Sequence, residues 1–252
     1  MKPFIIFISF FAFLSTGSVA ERLDSIDSVK KSATALRAHW RLTTRLHSQG
    51  IFNLGGRVGS LNPTFDVNFT YDRKNWGLLF FKGQDLYDHT TFYNFALLTV
   101  YKNIKLSDKV TVTPSIGSFL EQASGFADRG SDLVFLLTTA VKINQHLSVE
   151  HMSLFGNLVI EPNERDWVNR VRLVYAGKHL DVITSVWHNN QVFDHSSYWS
   201  AGINLAYSRV QVANHLFMSA GVSGLVMLNT TDESANPKKN SLMVTIGLQL
   251  VH

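Results

Sequence analysis

The chain has 252 residues, is 45% hydrophobic and 17% charged, contains no cysteine and carries a formal net charge of +4. An aromatic content of 12% with so few charges excludes an intrinsically disordered chain, and the missing cysteines exclude a disulfide scaffold and a thiolate metal site. After residue 20 no apolar run approaches the roughly 20 residues of a spanning helix, which excludes a helical membrane protein.

Residues 1–20 open with the basic Met1-Lys2 and continue with an apolar stretch from Phe4 to Leu14, broken only by Ser9. Ser15-Thr16-Gly17-Ser18-Val19-Ala20 then ends in a small-x-small pattern, so a secretory signal peptide cleaved after Ala20 is expected. Loss of Lys2 takes the net charge from +4 to +3. That excess is spread along the chain, so no nucleic-acid partner is expected. An exported chain without cysteine fits a bacterial envelope protein. In residues 21–39, Leu23, Ile26, Val29, Ala33 and Leu36 recur every three or four positions behind a capping Asp24 or Ser25. This spacing predicts a short amphipathic helix over 24–37, either a periplasmic or plug segment or a loosely ordered linker.

From residue 40 the period becomes two. In Thr64–Asp72, Phe65, Val67, Phe69 and Tyr71 alternate with Asp66, Asn68, Thr70 and Asp72, the signature of a strand with one apolar and one polar face. The pattern recurs and predicts twelve strands, at about 40–48, 64–72, 76–83, 92–103, 109–120, 132–143, 146–156, 167–176, 179–188, 198–209, 215–227 and 240–251. Connections alternate between short (73–75, 104–108, 144–145, 177–178, 210–214) and long (49–63, 84–91, 121–131, 157–166, 189–197, 228–239). Such alternation predicts an all-β fold, a single antiparallel up-and-down transmembrane β-barrel with short periplasmic turns and longer outer loops. An even strand count leaves both termini on the periplasmic side.

Aromatic residues supply a second ruler. Tyr93 and Tyr101, Trp167 and Tyr175, and Trp199 and Tyr207 are three pairs, each eight residues apart on one strand. Taken as outward-facing, each pair spans roughly 20 Å along the barrel axis, close to the apolar band between two aromatic girdles. Lipid-facing positions between them are expected at Leu133, Phe135, Leu137, Val171, Leu173, Val244, Ile246 and Leu248.

Signal peptide, alternating strands, girdles and an amphipathic C-terminal strand together resemble Gram-negative outer-membrane β-barrel proteins, in the style of small porin-like barrels of Bacteroidetes-like bacteria. The resemblance covers residues 40–252 and implies residence in outer-membrane lipid. It departs from the family at the end, where Val251-His252 stands in place of a final aromatic residue. The polar strand faces then become lumen-lining: Asp66, Asn68, Asp72, Lys142, Glu150, Arg170, Arg172, Asp181 and Asn204. They either line a water-filled path for small polar or anionic solutes or pair into a network that closes it. Arg170 and Arg172 share a face, with Asp181 on the next strand as the expected partner.

An enzymatic alternative rests on His151-Met152-Ser153, whose His and Ser face outward with Asn169 on the following strand. This is similar to outer-membrane phospholipase A, in which a Ser nucleophile, a His base and an orienting Asn sit on the outer wall of a twelve-stranded barrel. Leu154-Phe155 replace the Asn-Gly of that family's pattern. The expected register sets His151 opposite Leu173 and Asn169 opposite Phe155, about 13 Å from the His it should orient. His188, Asp194 and His195 near one loop have no second ligand set, so neither a metal nor a cofactor is expected. Gly55-Gly56-Arg57-Val58-Gly59 lacks the strand–turn–helix setting of a nucleotide loop.

Overall fold

The computed structural model describes residues 39–121, 132–156, 167–191, 196–230 and 240–252. The expected signal peptide and the expected helix over 24–37 lie outside these residues. The described chain is all-β: β1 (His39–His47), β2 (Gly50–Phe52), β3 (Arg57–Ser60), β4 (Thr64–Arg73), β5 (Trp76–Asp85), β6 (Phe95–Lys102), β7 (Ile104–Lys105), β8 (Val110–Glu121), β9 (Asp132–Lys142), β10 (Leu147–Phe155), β11 (Trp167–Ala176), β12 (Leu180–Gln191), β13 (Ser196–Ala213), β14 (Leu216–Thr230) and β15 (Asn240–Val251). Twelve of these strands close a ring, because β1 pairs with both β4 and β15 while β6 pairs with β8. Every pairing is antiparallel. Closure removes the sheet edges, so every strand finds a hydrogen-bonding neighbour on both sides.

The wall obeys the period-two rule. Along β15, Leu242, Val244, Ile246, Leu248 and Leu250 are exposed, whereas Met243, Thr245 and Gly247 are buried. Val171, Val186, Leu137 and Ile116 continue the outer apolar surface on other strands. For a soluble protein so large an exposed apolar face would be an aggregation liability; facing lipid, it is the required solvent contact.

The seam between first and last strands is tied at its turn end. Trp40 N donates to His252 O at 3.2 Å and His252 N to Trp40 O at 3.0 Å. The two rings stack with centroids 5.7 Å apart and planes within 7°. His252 and Trp40 thus join the first and last strands at the closing seam.

The long connection expected over 49–63 is not irregular. Its β2 and β3 form a separate two-stranded hairpin, with Ile51 opposite Val58 and Phe52 opposite Arg57. Gly56 N donates to Phe52 O at 2.8 Å to close the tip, and Gly56 has φ of 62°. A glycine pair is a hairpin-turn signal; the glycines of this stretch thus serve a turn.

Candidate functional site

The hairpin folds inward and crosses the lumen near the loop end. Leu54 at its tip packs on a cluster of Leu97, Val134, Leu136, Met152, Leu154 and Val168, contributed by β6, β9, β10 and β11. Ile51 and Val58 on its stem pack on Trp187, Leu225 and Met243 from β12, β14 and β15. One short element therefore touches walls on both sides of the barrel. The apolar inward positions of β9–β11 at this level, unusual for a lumen, are explained by the apolar tip they receive.

Polar groups hold the tip by its carbonyls. Arg170 Nη1 donates to Asn53 O at 3.2 Å and Trp187 Nε1 to the same oxygen at 3.0 Å. Asn189 Nδ2 and Tyr198 Oη donate to Gly55 O at 2.6 and 3.1 Å, and Ser200 Oγ to Gly56 O at 2.6 Å. The carbonyls of a tight turn have no ladder partners, so five wall donors satisfy them inside the barrel. The close fit needs glycine: a Cβ on Gly56 would lie 2.3 Å from Trp187 Cδ2.

The stem is tied at the loop end by Asp85. Its buried carboxylate accepts from Ser60 Oγ, from Asn62 Nδ2 at 3.2–3.3 Å, from the amides of Tyr87 and Asp88 at 2.8 and 2.9 Å, and from Thr91 Oγ1 at 3.0 Å. Beside it, Phe52 lies edge-on to Phe92 and Phe95, with centroids 4.9 and 5.0 Å away. The Arg57 guanidinium covers the Phe92 ring at 3.2 Å.

Three ion pairs hold inward charge among the described residues. Asp66 accepts from Arg45 Nε at 2.8 Å and lies 2.8 Å from His47 Nε2, whose Nδ1 is 2.7 Å from Thr245 Oγ1. Glu150 accepts from Arg172 Nε at 2.6 Å and pairs with its Nη2 at 2.5 Å. Asp181, at the turn end, pairs with Arg209 at 2.5 Å and accepts from Ser208. The expected neighbourhood of Asp181 with the arginine pair is thus corrected: the register sets Asp181 opposite Ala176, four residues along from Arg172. Arg209 reaches it from a β-bulge, where its own φ is 60°. No carboxylate pairs with Arg170 or Lys142 among the described residues.

Asn68, Lys142 and Asn204 also stand on inward positions, Asn204 buried and the other two half-buried. Several inward polar atoms find no protein partner among the described residues: Asn68 Oδ1, Thr70 Oγ1, Arg170 Nε, Ser185 Oγ and Ser223 Oγ. Sequence reasoning missed Arg45, His47, Trp187, Asn189, Tyr198, Ser200 and Arg209. The inward phase of Trp187 and Asn189 was readable from alternation along β12; the hairpin that uses them was not.

Tyr93 and Tyr101 require a correction. They are 2% and 5% exposed and face the lumen. Tyr101 Oη donates to Asp72 at 2.6 Å and Tyr93 Oη to Asp66 at 3.3 Å. In Phe95-Ala96-Leu97-Leu98-Thr99-Val100 both faces are apolar, so alternation does not set the phase there. The hydroxyls' partners and the hairpin's need for Phe95 and Leu97 set it. Trp167, Tyr175, Trp199 and Tyr207 are exposed on the outer face, the tryptophans toward the loop end and the tyrosines toward the turn end.

The outward triplet also sits in another register than expected. Asn169 lies opposite Ser153, and His151 opposite Val171. Ser153 Oγ donates to Asn169 Oδ1 at 2.9 Å. No hydrogen bond joins His151 to Ser153 or Asn169 among the described residues, so the base is coupled neither to the nucleophile nor to an orienting group.

No family model and no curated protein matches the chain. Solved structures do match in fold. The KdgM porin superposes with a TM-score of 0.55 at 9% identity, covering 83% of this chain and 98% of that one. A KdgM porin in complex with disordered oligogalacturonate gives 0.54 at 8% identity, covering 84% and 98%. An outer membrane channel from Pseudomonas putida F1 gives 0.51 at 7% identity, covering 86% and 96%. The chain thus has the closed twelve-stranded antiparallel barrel fold of outer-membrane porins.

Proposed function

We propose that the protein is a narrow outer-membrane diffusion channel for small polar and anionic solutes, constricted by the inward hairpin of residues 50–60. In this reading residues 1–20 export the chain and are removed, and residues 21–39 form a periplasmic or plug segment. The observation that carries it is the inward, half-buried position of Asn68, Lys142 and Arg170 inside a closed barrel. Dry burial of a polar group costs about 1–3 kcal/mol, so polar side chains that keep partial exposure on the inner face suit a water-filled lumen. Glu150 pairs with Arg172, and among the described residues no carboxylate forms an ion pair with Arg170 or Lys142, which favours anions. A fold neighbour bound to oligogalacturonate, an acidic sugar polymer, supports an anionic cargo.

Planar-bilayer recording tests this. Small single-channel steps with an anion-selective reversal potential are expected, and the selectivity should weaken in Arg170→Ala and Lys142→Ala. The hairpin favours a second reading, a closed barrel that presents its loops. A shortened loop lacking residues 51–58 separates the two. Conductance that rises in the variant supports a constricted channel; silence from both forms removes the channel and leaves the closed barrel.

A further inference from the structure

The two ends of the barrel differ in charge. At the turn end Lys74, Lys105, Lys109 and Lys178 are exposed in or beside three of the turns. None of the four is held in an ion pair among the described residues. Acids there are few: Asp181 is engaged by Arg209, Asp72 accepts from Tyr101, and Asp108 stands exposed between Lys105 and Lys109. The loop segments, by contrast, carry acids such as Asp88, Glu161, Glu164, Asp166, Asp232 and Glu233.

The lysines stand just beyond an exposed apolar and aromatic band that includes Trp76, Ile104, Leu106, Ile143, Tyr175 and Tyr207. Lys102 Nζ lies 5.1 Å above the Trp76 ring, a cation over an aromatic face at this end. Tyr175 and Tyr207 are in turn covered by His146 and His179, with centroids 5.9 and 5.7 Å apart. An aromatic belt followed by mobile cations is the chemistry of the hydrocarbon–headgroup boundary. The lysine-bearing turns join β4 to β5, β7 to β8 and β11 to β12, separate points around the ring. Charges distributed around a circumference suit many small ligands at once, not one docked macromolecule.

We propose that the turn-end rim binds anionic phospholipid headgroups and holds phosphatidylglycerol-type lipids in its leaflet in preference to zwitterionic ones. The proposal rests on the reading that the barrel spans a membrane. Lysines near a membrane surface attract anionic lipid over a distance limited by the Debye length, so the preference should fade with salt.

The chain's own tryptophans report on it. Trp40 and Trp76 mark the turn end, and Trp167 and Trp199 the loop end, while Trp187, buried inside the barrel, stays in both variants as a common background. The protein is reconstituted as W167F/W199F or W40F/W76F in phosphatidylcholine vesicles containing a minority of phosphatidylglycerol, with bromine on the acyl chains of one lipid or the other. Brominated phosphatidylglycerol, relative to brominated phosphatidylcholine, should quench the turn-end pair about twofold more strongly than the loop-end pair. The excess should vanish in high salt and in a K74Q/K105Q/K109Q/K178Q variant, whose exposed substitutions leave the barrel intact. Equal ratios at the two ends would overturn the proposal. Absence of quenching by either lipid at both ends would instead overturn the membrane reading on which it rests.

Discussion

Arg170 and Arg172 stand two residues apart on one face of β11, yet they carry different loads. Arg172 neutralises a buried carboxylate through Nε and Nη2. Truncating it removes the ion-pair partner of Glu150 in the interior, and Arg172→Ala should cost about 3–5 kcal/mol in denaturant unfolding of the folded barrel. Arg170 is bound instead to the Asn53 carbonyl. Arg170→Ala strands no charge and should cost about 1–2 kcal/mol, with its main effect on ion selectivity. Equal costs for the two variants would contradict the assignment of Glu150 to Arg172. Gly56 offers a third residue-scale test. Its φ of 62° and the Trp187 ring 2.3 Å from a built Cβ leave no room for alanine. Gly56→Ala should displace the tip and lower stability by about 1–3 kcal/mol, read in the same titration.

Among the elements, the hairpin and the last strand have separable roles. The hairpin is fastened by its own carbonyls and by Asp85, whereas barrel closure rests on pairing of β1 with β4 and β15. Removing residues 51–58 should therefore leave a closed, folded barrel with a wider path, seen as larger conductance steps and intact far-ultraviolet β signal. A chain that no longer folds without the hairpin would show that the inward cluster around Leu54 is the core of the fold. The last strand closes the ring and ends in the Trp40–His252 stack. Deleting His252 should slow folding into vesicles, and His252→Phe should restore the rate. A slow His252→Phe would mean that stacking on Trp40 is not what the terminal residue contributes.

At the scale of the whole molecule the outer wall fixes depth in the bilayer. Ile246 sits midway along β15 and Leu250 beside the turn rim, both exposed. Ile246→Arg should cost about 2–4 kcal/mol in a refolding titration and Leu250→Arg about 0–1, because only the first places a cation at the centre of the hydrocarbon. Equal penalties would remove the membrane from the description of the wall. The same depth axis separates the tryptophans at the loop end from the tyrosines at the turn end.

Strand positions, strand number and the alternation of turns with loops were legible in the sequence, because each strand carries its own period-two pattern and needs no knowledge of its neighbours. The outer face was equally legible wherever one side was apolar and the other polar, as in β4 and β15. It failed in β6, where Phe95 and Leu97 look as lipophilic as Leu98 and Val100, and so Tyr93 and Tyr101 were given to the wrong side. Register between β10 and β11 was also out of reach, since a shift of two residues keeps every side chain on its face and changes only its neighbour. That shift decided that Asn169 meets Ser153 directly. The hairpin was beyond the sequence for a different reason. Its glycines and apolar pair announce a turn, but its inward course depends on donors from three distant strands and apolar positions on several more. Contacts made across a closed lumen leave no periodic trace along the chain, and only the tertiary structure brings Asn53 to Arg170 and Trp187.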